Sequence, residues 1–206
     1  MNTKNWIQTF SALALVAFLT TTATLSASVK TGEAAPEFTL TDDTGTSHNL
    51  SDFKGKYLVL EWTNHTCPFV KKFYSKGDMQ GLQAKYTAKD VVWLSISSNA
   101  QGKPGYLTPE ESTELRKEQN IKATARLLDA DGKVGRAYGA KTTPHMFVID
   151  PEGTLIYQGA IDSKRSANPG DIASAENYVA SALDAAMAGK PVATTDTAPY
   201  GCGVKY

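Results

Sequence analysis

The chain has 206 residues with 21 basic and 21 acidic side chains, and no basic stripe or charge block interrupts that balance. This distribution excludes nucleic acid and anionic membrane surfaces as expected partners. Its 2 cysteines are too few for a disulfide scaffold, so they act through reactivity or as a single staple.

Met1 to Asn5 carries Lys4 and the free amino group, and the apolar run Phe10 to Leu19 follows. A membrane span needs about 20 residues; this shorter run suits the core of a secretory signal peptide. Small and polar residues from Thr20 to Ser28 offer a cut after Ala27, although Leu25 departs from the small residue preferred there. Residues 1–27 are therefore expected to be a signal peptide, with an uncleaved anchor as the alternative. No cysteine stands near the cut for lipid attachment. The expected location is periplasmic or secreted, without stable membrane insertion once the signal is removed. What remains has the size of one domain, 28–190, with a tail at 191–206.

From Ala34 to Leu50, Phe38 and Leu40 alternate with polar residues before an Asp-Asp-Thr-Gly turn, which predicts a short opening strand or hairpin. Tyr57 to Thr63 is apolar on both faces for most of its length, as expected of a central strand covered on both sides. Beyond Cys67, the residues Phe69, Val70, Phe73 and Tyr74 fall at helical spacing up to Lys76. Gly77 suits the helix end, and Asp78 suits the cap of the next helix, reaching about Thr87. Val91 to Ser97 reads as a second buried strand. Thr108, Pro109 and Glu111 form a capping box that starts a polar surface helix to about Asn120.

A short strand is predicted around Ala125 to Leu128, then an Asp-Ala-Asp-Gly turn, a helical turn ending near Gly139, and a strand from His145 to Asp150. Asp150-Pro151-Glu152-Gly153 joins it to Thr154 to Ala160 as a hairpin. Ile172, Val179, Leu183 and Met187 mark one face of a last helix, which Gly189 and Pro191 end. Alternating strands and helices predict an α/β fold with a mixed sheet and helices on both faces.

Chemistry concentrates in Trp62-Thr-Asn-His-Thr-Cys-Pro-Phe-Val70, where Cys67 sits between a buried strand and the first turn of a helix that opens with Pro68. A helix start supplies free amides and a positive dipole end, which favour the nucleophilic thiolate. Lys71 and His65 add positive potential; the competing reading is a buried, inert cysteine. The second element is Thr142-Thr-Pro-His-Met-Phe-Val-Ile-Asp150, with Pro144 at the mouth of a strand.

These segments, together with G-E-A-A-P-E-F-T-L at the start of the domain, V-W-L-S-I-S, and L-L-D-A-D-G-K-V-G-R-A-Y-G, resemble the thioredoxin-like superfamily and, within it, the redoxin group that includes the AhpC/TSA (peroxiredoxin-like) family. The resemblance implies a thioredoxin fold, a cis bond at Pro144 beside Cys67, and a substrate groove shaped by Trp62, His65, Pro68, Thr143, Pro144 and His145. It also implies a buried carboxyl relay at Glu61, six residues before Cys67, whose pKa burial would raise. The alternative is a Glu paired with a lysine at the sheet end.

Departures from the family patterns narrow the chemistry. Val70 stands where C-x-x-C proteins carry their second cysteine, and Leu60 and Asn64 replace the proline and threonine of P-x-x-x-T-x-x-C. Cys202, flanked by Gly201 and Gly203, is then the candidate resolving cysteine for Cys67, or else its permanent staple. The expected function is a thiol oxidoreductase or antioxidant acting on protein or small-molecule disulfides or on peroxides, served by an envelope reductant and needing neither cofactor nor metal. A copper chaperone using Cys67, Cys202, His65 and His145, and a non-catalytic binding domain, are the other classes.

Overall fold

The computed structural model describes residues 28–206, so the signal-peptide reading falls outside the described residues. Strands β1 (Thr39–Asp42) and β2 (Ser47–Asn49) form the opening hairpin, and a 3-10 turn at Leu50–Phe53 leads to β3 (Leu58–Trp62). There follow α1 (Pro68–Tyr74), α2 (Asp78–Thr87), β4 (Val92–Ser97), α3 (Pro109–Glu118), β5 (Ala125–Leu128) and α4 (Lys133–Tyr138). Then come β6 (Thr142–Thr143), β7 (His145–Ile149), β8 (Leu155–Gly159), a 3-10 stretch at Pro169–Ser174, α5 (Tyr178–Met187) and β9 (Cys202–Gly203).

The main sheet has seven strands in the order β2-β1-β5-β4-β3-β7-β8. Its middle is parallel, β3 with β4 and β4 with β5, while β1, β7 and β8 pair antiparallel to their neighbours. The period-two alternation of each strand divides the core. Leu58, Leu60 and Trp62 join Val134 and Tyr138 of α4 on one face, whereas Val59, Trp93 and Met146 join Val70, Phe73, Met79 and Leu183 from α1, α2 and α5 on the other. Both faces are covered, which is why β3 and β4 read as continuous apolar runs. The predicted α/β architecture, a mixed sheet with helices on both faces, is the one observed.

Local boundaries moved in three places. Gly77, at φ 87°, rather than Asp78, occupies the N-cap of α2, because that turn needs a left-handed residue. Ile172 belongs to the 3-10 stretch and not to the last helix, which starts after Asn177 caps Ala180 N–H at 2.9 Å. Met187, grouped with Val179 and Leu183 on one face of that helix, is 37% exposed. The Thr108–Glu111 capping box forms as predicted.

The tail is woven into the domain. Thr197 N–H donates to Gln158 O, Tyr200 is buried, β9 pairs antiparallel with β6, and the Tyr206 hydroxyl donates to Ala140 O.

Candidate active site

Strand β3 ends in a tight turn that presents Cys67. The Asn64 carboxamide oxygen accepts from Thr66 N–H and the Thr66 hydroxyl, Asn64 O accepts Cys67 N–H at 3.0 Å, and Asn64 Nδ2 reaches Asn99 and Pro104 O. Asn64 is thus spent on building the turn. Cys67 is the N-cap of α1, extended at φ −70° and ψ 126°, and Pro68 takes the first helical position, where a missing N–H costs nothing.

Opposite lies the Thr143-Pro144 cis peptide bond, in accord with the expectation from the family resemblance. Thr143 Cα pairs with Cys202 across the β6–β9 ribbon. Between Tyr200 and Cys202, Gly201 has φ 143°, and a Cβ there would lie 2.0 Å from Thr143 O, so only glycine allows the tail to pass this close. The two sulfurs end 2.7 Å apart, and Cys67 Sγ lies 3.1 Å from Thr143 O. Both cysteines are free thiols, Cys67 buried and Cys202 half-buried.

The two thiols are electrostatically unlike. Burial pushes the Cys67 thiol up, but hydrogen bonds from the Cys202 thiol and the backbone N–H groups of Cys202 and Val70 outweigh it and leave its pKa below the ordinary value. Among the described residues the buried Thr143 hydroxyl has no hydrogen-bond partner; Thr143 meets Cys67 Sγ through its carbonyl oxygen. Burial, together with the hydrogen bond to Cys67 and its charge, pushes Cys202 up to about 11. The pair therefore divides into a more acidic Cys67 thiol, the better attacking group, and a less acidic Cys202.

The other predicted site residues take different places. His65 is half-buried beside Cys67 in the turn, and burial lowers its pKa, assisted by the charges of Arg126 and Lys71. Pro68 is exposed at the start of α1. Trp62 and His145, expected in the groove, point instead to the opposite face of the sheet. Trp62 is fully buried against Tyr138 and Phe147 and donates its indole N–H to Ser98 Oγ at 2.9 Å. His145 accepts Lys141 N–H at 3.3 Å and packs 4.5 Å from Phe147, and burial lowers its pKa to about 3. The reason is register: Trp62 and His145 are paired residues of β3 and β7, whose odd and even positions face opposite layers.

Glu61 is wholly buried, as expected, and burial raises its pKa. Its oxygens accept from the Tyr74 hydroxyl (2.7 Å), Gln83 Nε2 (3.1 Å) and Trp93 Nε1 (2.8 Å), and no hydrogen bond among the described residues joins it to Cys67. Its partners are neither a lysine at the sheet end nor the cysteine, so the geometry supports an anchor rather than a relay. Sequence reasoning missed a second cluster, in which Lys72 Nζ donates to Asp162 Oδ2 and to Tyr200 OH. The one available signal was a lysine interrupting the apolar face of α1. Cys67 and Cys202 meet, but no group of three metal-ligating side chains gathers among the described residues, so His65 and His145 do not complete a site with them.

A sheet of this order, a cysteine capping the first helix after a central strand, and a cis-proline facing it define a thioredoxin-fold protein with a thiol site. The AhpC/TSA family model matches residues 31–158, and the chain belongs to that family. It is similar to the thiol-disulfide oxidoreductase ResA of Bacillus thuringiensis subsp. konkukian (28% identical over 127 residues, 62% of this chain and 68% of that protein) and of Bacillus subtilis (26% over 129 residues, 63% and 66%). Among solved structures, an uncharacterized conserved protein from Geobacillus kaustophilus superposes with a TM-score of 0.75 at 28% identity, covering 86% of this chain and 92% of that one. A putative thiol:disulfide interchange protein DsbE from Chlorobium tepidum gives 0.51 at 27% identity, covering 64% and 85%.

Proposed function

We propose that the protein is an exported thiol-disulfide oxidoreductase in which Cys67 attacks and Cys202, delivered by the C-terminal tail, resolves. The 2.7 Å approach of the two sulfurs, with one pKa lowered and the other raised, carries this reading. The related proteins named for thiol-disulfide exchange support the same reaction class. The N-terminal apolar run supports export, and no helix of the described residues is long and apolar enough to cross a membrane.

Cys67 thiolate attacks one sulfur of a protein or small-molecule disulfide; a Cys67–substrate disulfide forms and the other substrate sulfur leaves as a thiolate that takes up a proton. Cys202 then gives up its proton and attacks Cys67 Sγ. The Cys67–Cys202 bond forms and the second substrate thiolate departs, so the substrate gains two electrons and the pair loses two. An external dithiol then attacks Cys67 Sγ, Cys202 leaves as a thiol, and the second thiol of that dithiol displaces Cys67, so the pair is reduced and the dithiol becomes a disulfide. Loss of the Cys67 charge in the mixed disulfide removes part of what keeps Cys202 protonated, which times the second attack after the first. Asn64 is occupied in the turn, and no arginine hydrogen-bonds to Cys67 among the described residues, both of which favour a disulfide over a peroxide as oxidant.

Reaction of the reduced protein and of its Cys202→Ser variant with a model peptide disulfide, followed by acid-quench mass spectrometry, tests the proposal. The variant should accumulate a Cys67 mixed disulfide, and the wild type should release both peptide thiols and carry an internal disulfide. An inert Cys67 at neutral pH would make the cysteine pair a staple. Reaction with hydrogen peroxide alone would make the protein a peroxidase.

A further inference from the structure

Lys72 is a fully buried cation whose three N–H bonds are all used: it donates to Asp162 Oδ2 at 2.8 Å, to Lys164 O at 2.9 Å and to Tyr200 OH at 3.1 Å. Tyr200 OH in turn donates to Asp162 Oδ1. The Tyr200 ring packs edge-on against Phe69 with centroids 5.8 Å apart, and Lys72 Nζ lies 5.5 Å from its centre. Three segments far apart in sequence, α1, the loop after β8 and the tail, therefore close around one hydroxyl. Cys67 caps the helix that carries Phe69 and Lys72, and Tyr200 stands two residues before Cys202. Both cysteines are thus referenced to α1, one through the backbone and the other through this cluster.

We propose that Lys72, Asp162 and Tyr200 are positioning residues, a latch that holds the tail with Cys202 facing Cys67 and so sets the effective concentration of the resolving thiol. The proposal rests on the oxidoreductase reading. Apolar packing alone would keep the tail against the domain but would let the Tyr200 ring slide, whereas hydrogen bonds at a buried ion pair fix the hydroxyl in direction as well as distance. Gly201 carries that placement to Cys202 at the point where the tail touches Thr143 O.

The test is the equilibrium between reduced protein, Cys67–glutathione mixed disulfide and internal disulfide, measured on the full chain in glutathione redox buffers. Tyr200→Phe keeps the ring on Phe69 and removes only the hydroxyl. It should lower the equilibrium constant for internal closure about tenfold or more, in line with loss of a hydrogen bond to a charged group. The mixed disulfide should then accumulate under conditions where the wild type is closed. Lys72→Met attacks the latch from the helix side and should act in the same direction; if it does not fold, Tyr200→Phe decides. A closure constant in folded Tyr200→Phe within about twofold of wild type, without mixed disulfide, would overturn the latch. Wild-type protein that closes its disulfide with oxidised glutathione but leaves the model peptide disulfide untouched would overturn the oxidoreductase reading and not the latch.

Discussion

Helix α1 presents one buried polar cluster to the sheet and another to the tail, and the two are built differently. At the first, Glu61 gathers Tyr74, Gln83 and Trp93 from 13, 22 and 32 positions away. At the second, Lys72 meets Asp162 and Tyr200 from 90 and 128 positions away. The Glu61 cluster closes as soon as β3, α1, α2 and β4 pack, and it ties helices to sheet irrespective of the tail. The Lys72 cluster cannot close until almost the whole chain is in place. One belongs to the scaffold that holds Cys67; the other belongs to the assembly of the complete cysteine pair.

Breaking the second cluster should have the larger cost. Lys72→Met leaves the Asp162 carboxylate buried without its cation, and the expected loss is about 3–5 kcal/mol in denaturant unfolding. A loss under about 1 kcal/mol would mean that the tail rests on the domain without being held by the pair. His145 sharpens the comparison as a buried titratable group with no ion-pair partner among the described residues. Burial first, and then the Lys141 charge, lowers its pKa to about 3. The unfolded chain takes up a proton near pH 6.5 and the folded one does not. The stability due to neutral His145 is therefore full above pH 6.5 and lost as pH falls toward 3, by roughly a few kcal/mol; His145→Gln should flatten that slope in unfolding measured against pH.

Glu61→Gln should cost about 1–3 kcal/mol, because an amide nitrogen replaces an acceptor of buried donors. The same variant should leave the pH profile of Cys67 alkylation unchanged; a displaced profile would restore the proton relay and merge the two clusters functionally. The smallest effect concerns the thiols themselves. Cys202→Ser keeps a donor to Cys67 and Cys202→Ala removes it, so the alkylation pKa of Cys67 should be higher in the alanine variant, by a fraction of a unit to about one unit. Equal values would assign the lowered Cys67 pKa to the backbone N–H groups of residue 202 and Val70.

Much of the fold was legible because its signals are local. The apolar runs Tyr57 to Thr63 and Val91 to Ser97, the capping box at Thr108, and the Asp150-Pro-Glu-Gly turn all became the elements they predicted. Cys67 was legible for the same reason, since a strand end followed by Cys-Pro and a helical pattern marks the residue that caps a helix. The family resemblance implies a groove that includes Trp62 and His145. Side-chain direction in a strand alternates residue by residue, and the β3–β7 register sends both away. Glu61 was read as buried, but its partners come from three other elements, and nothing near it in the chain names them.

The sequence by itself determined the α/β order, the turn that exposes Cys67 at a helix start, and the glycine-flanked cysteine able to approach another backbone, because each depends on short-range spacing and conformational preference. Only the tertiary structure decided that Cys202 faces Cys67 and that a buried lysine, aspartate and tyrosine hold it there. A contact across 135 positions leaves no periodic trace, and it exists only once sheet, helix and tail are packed.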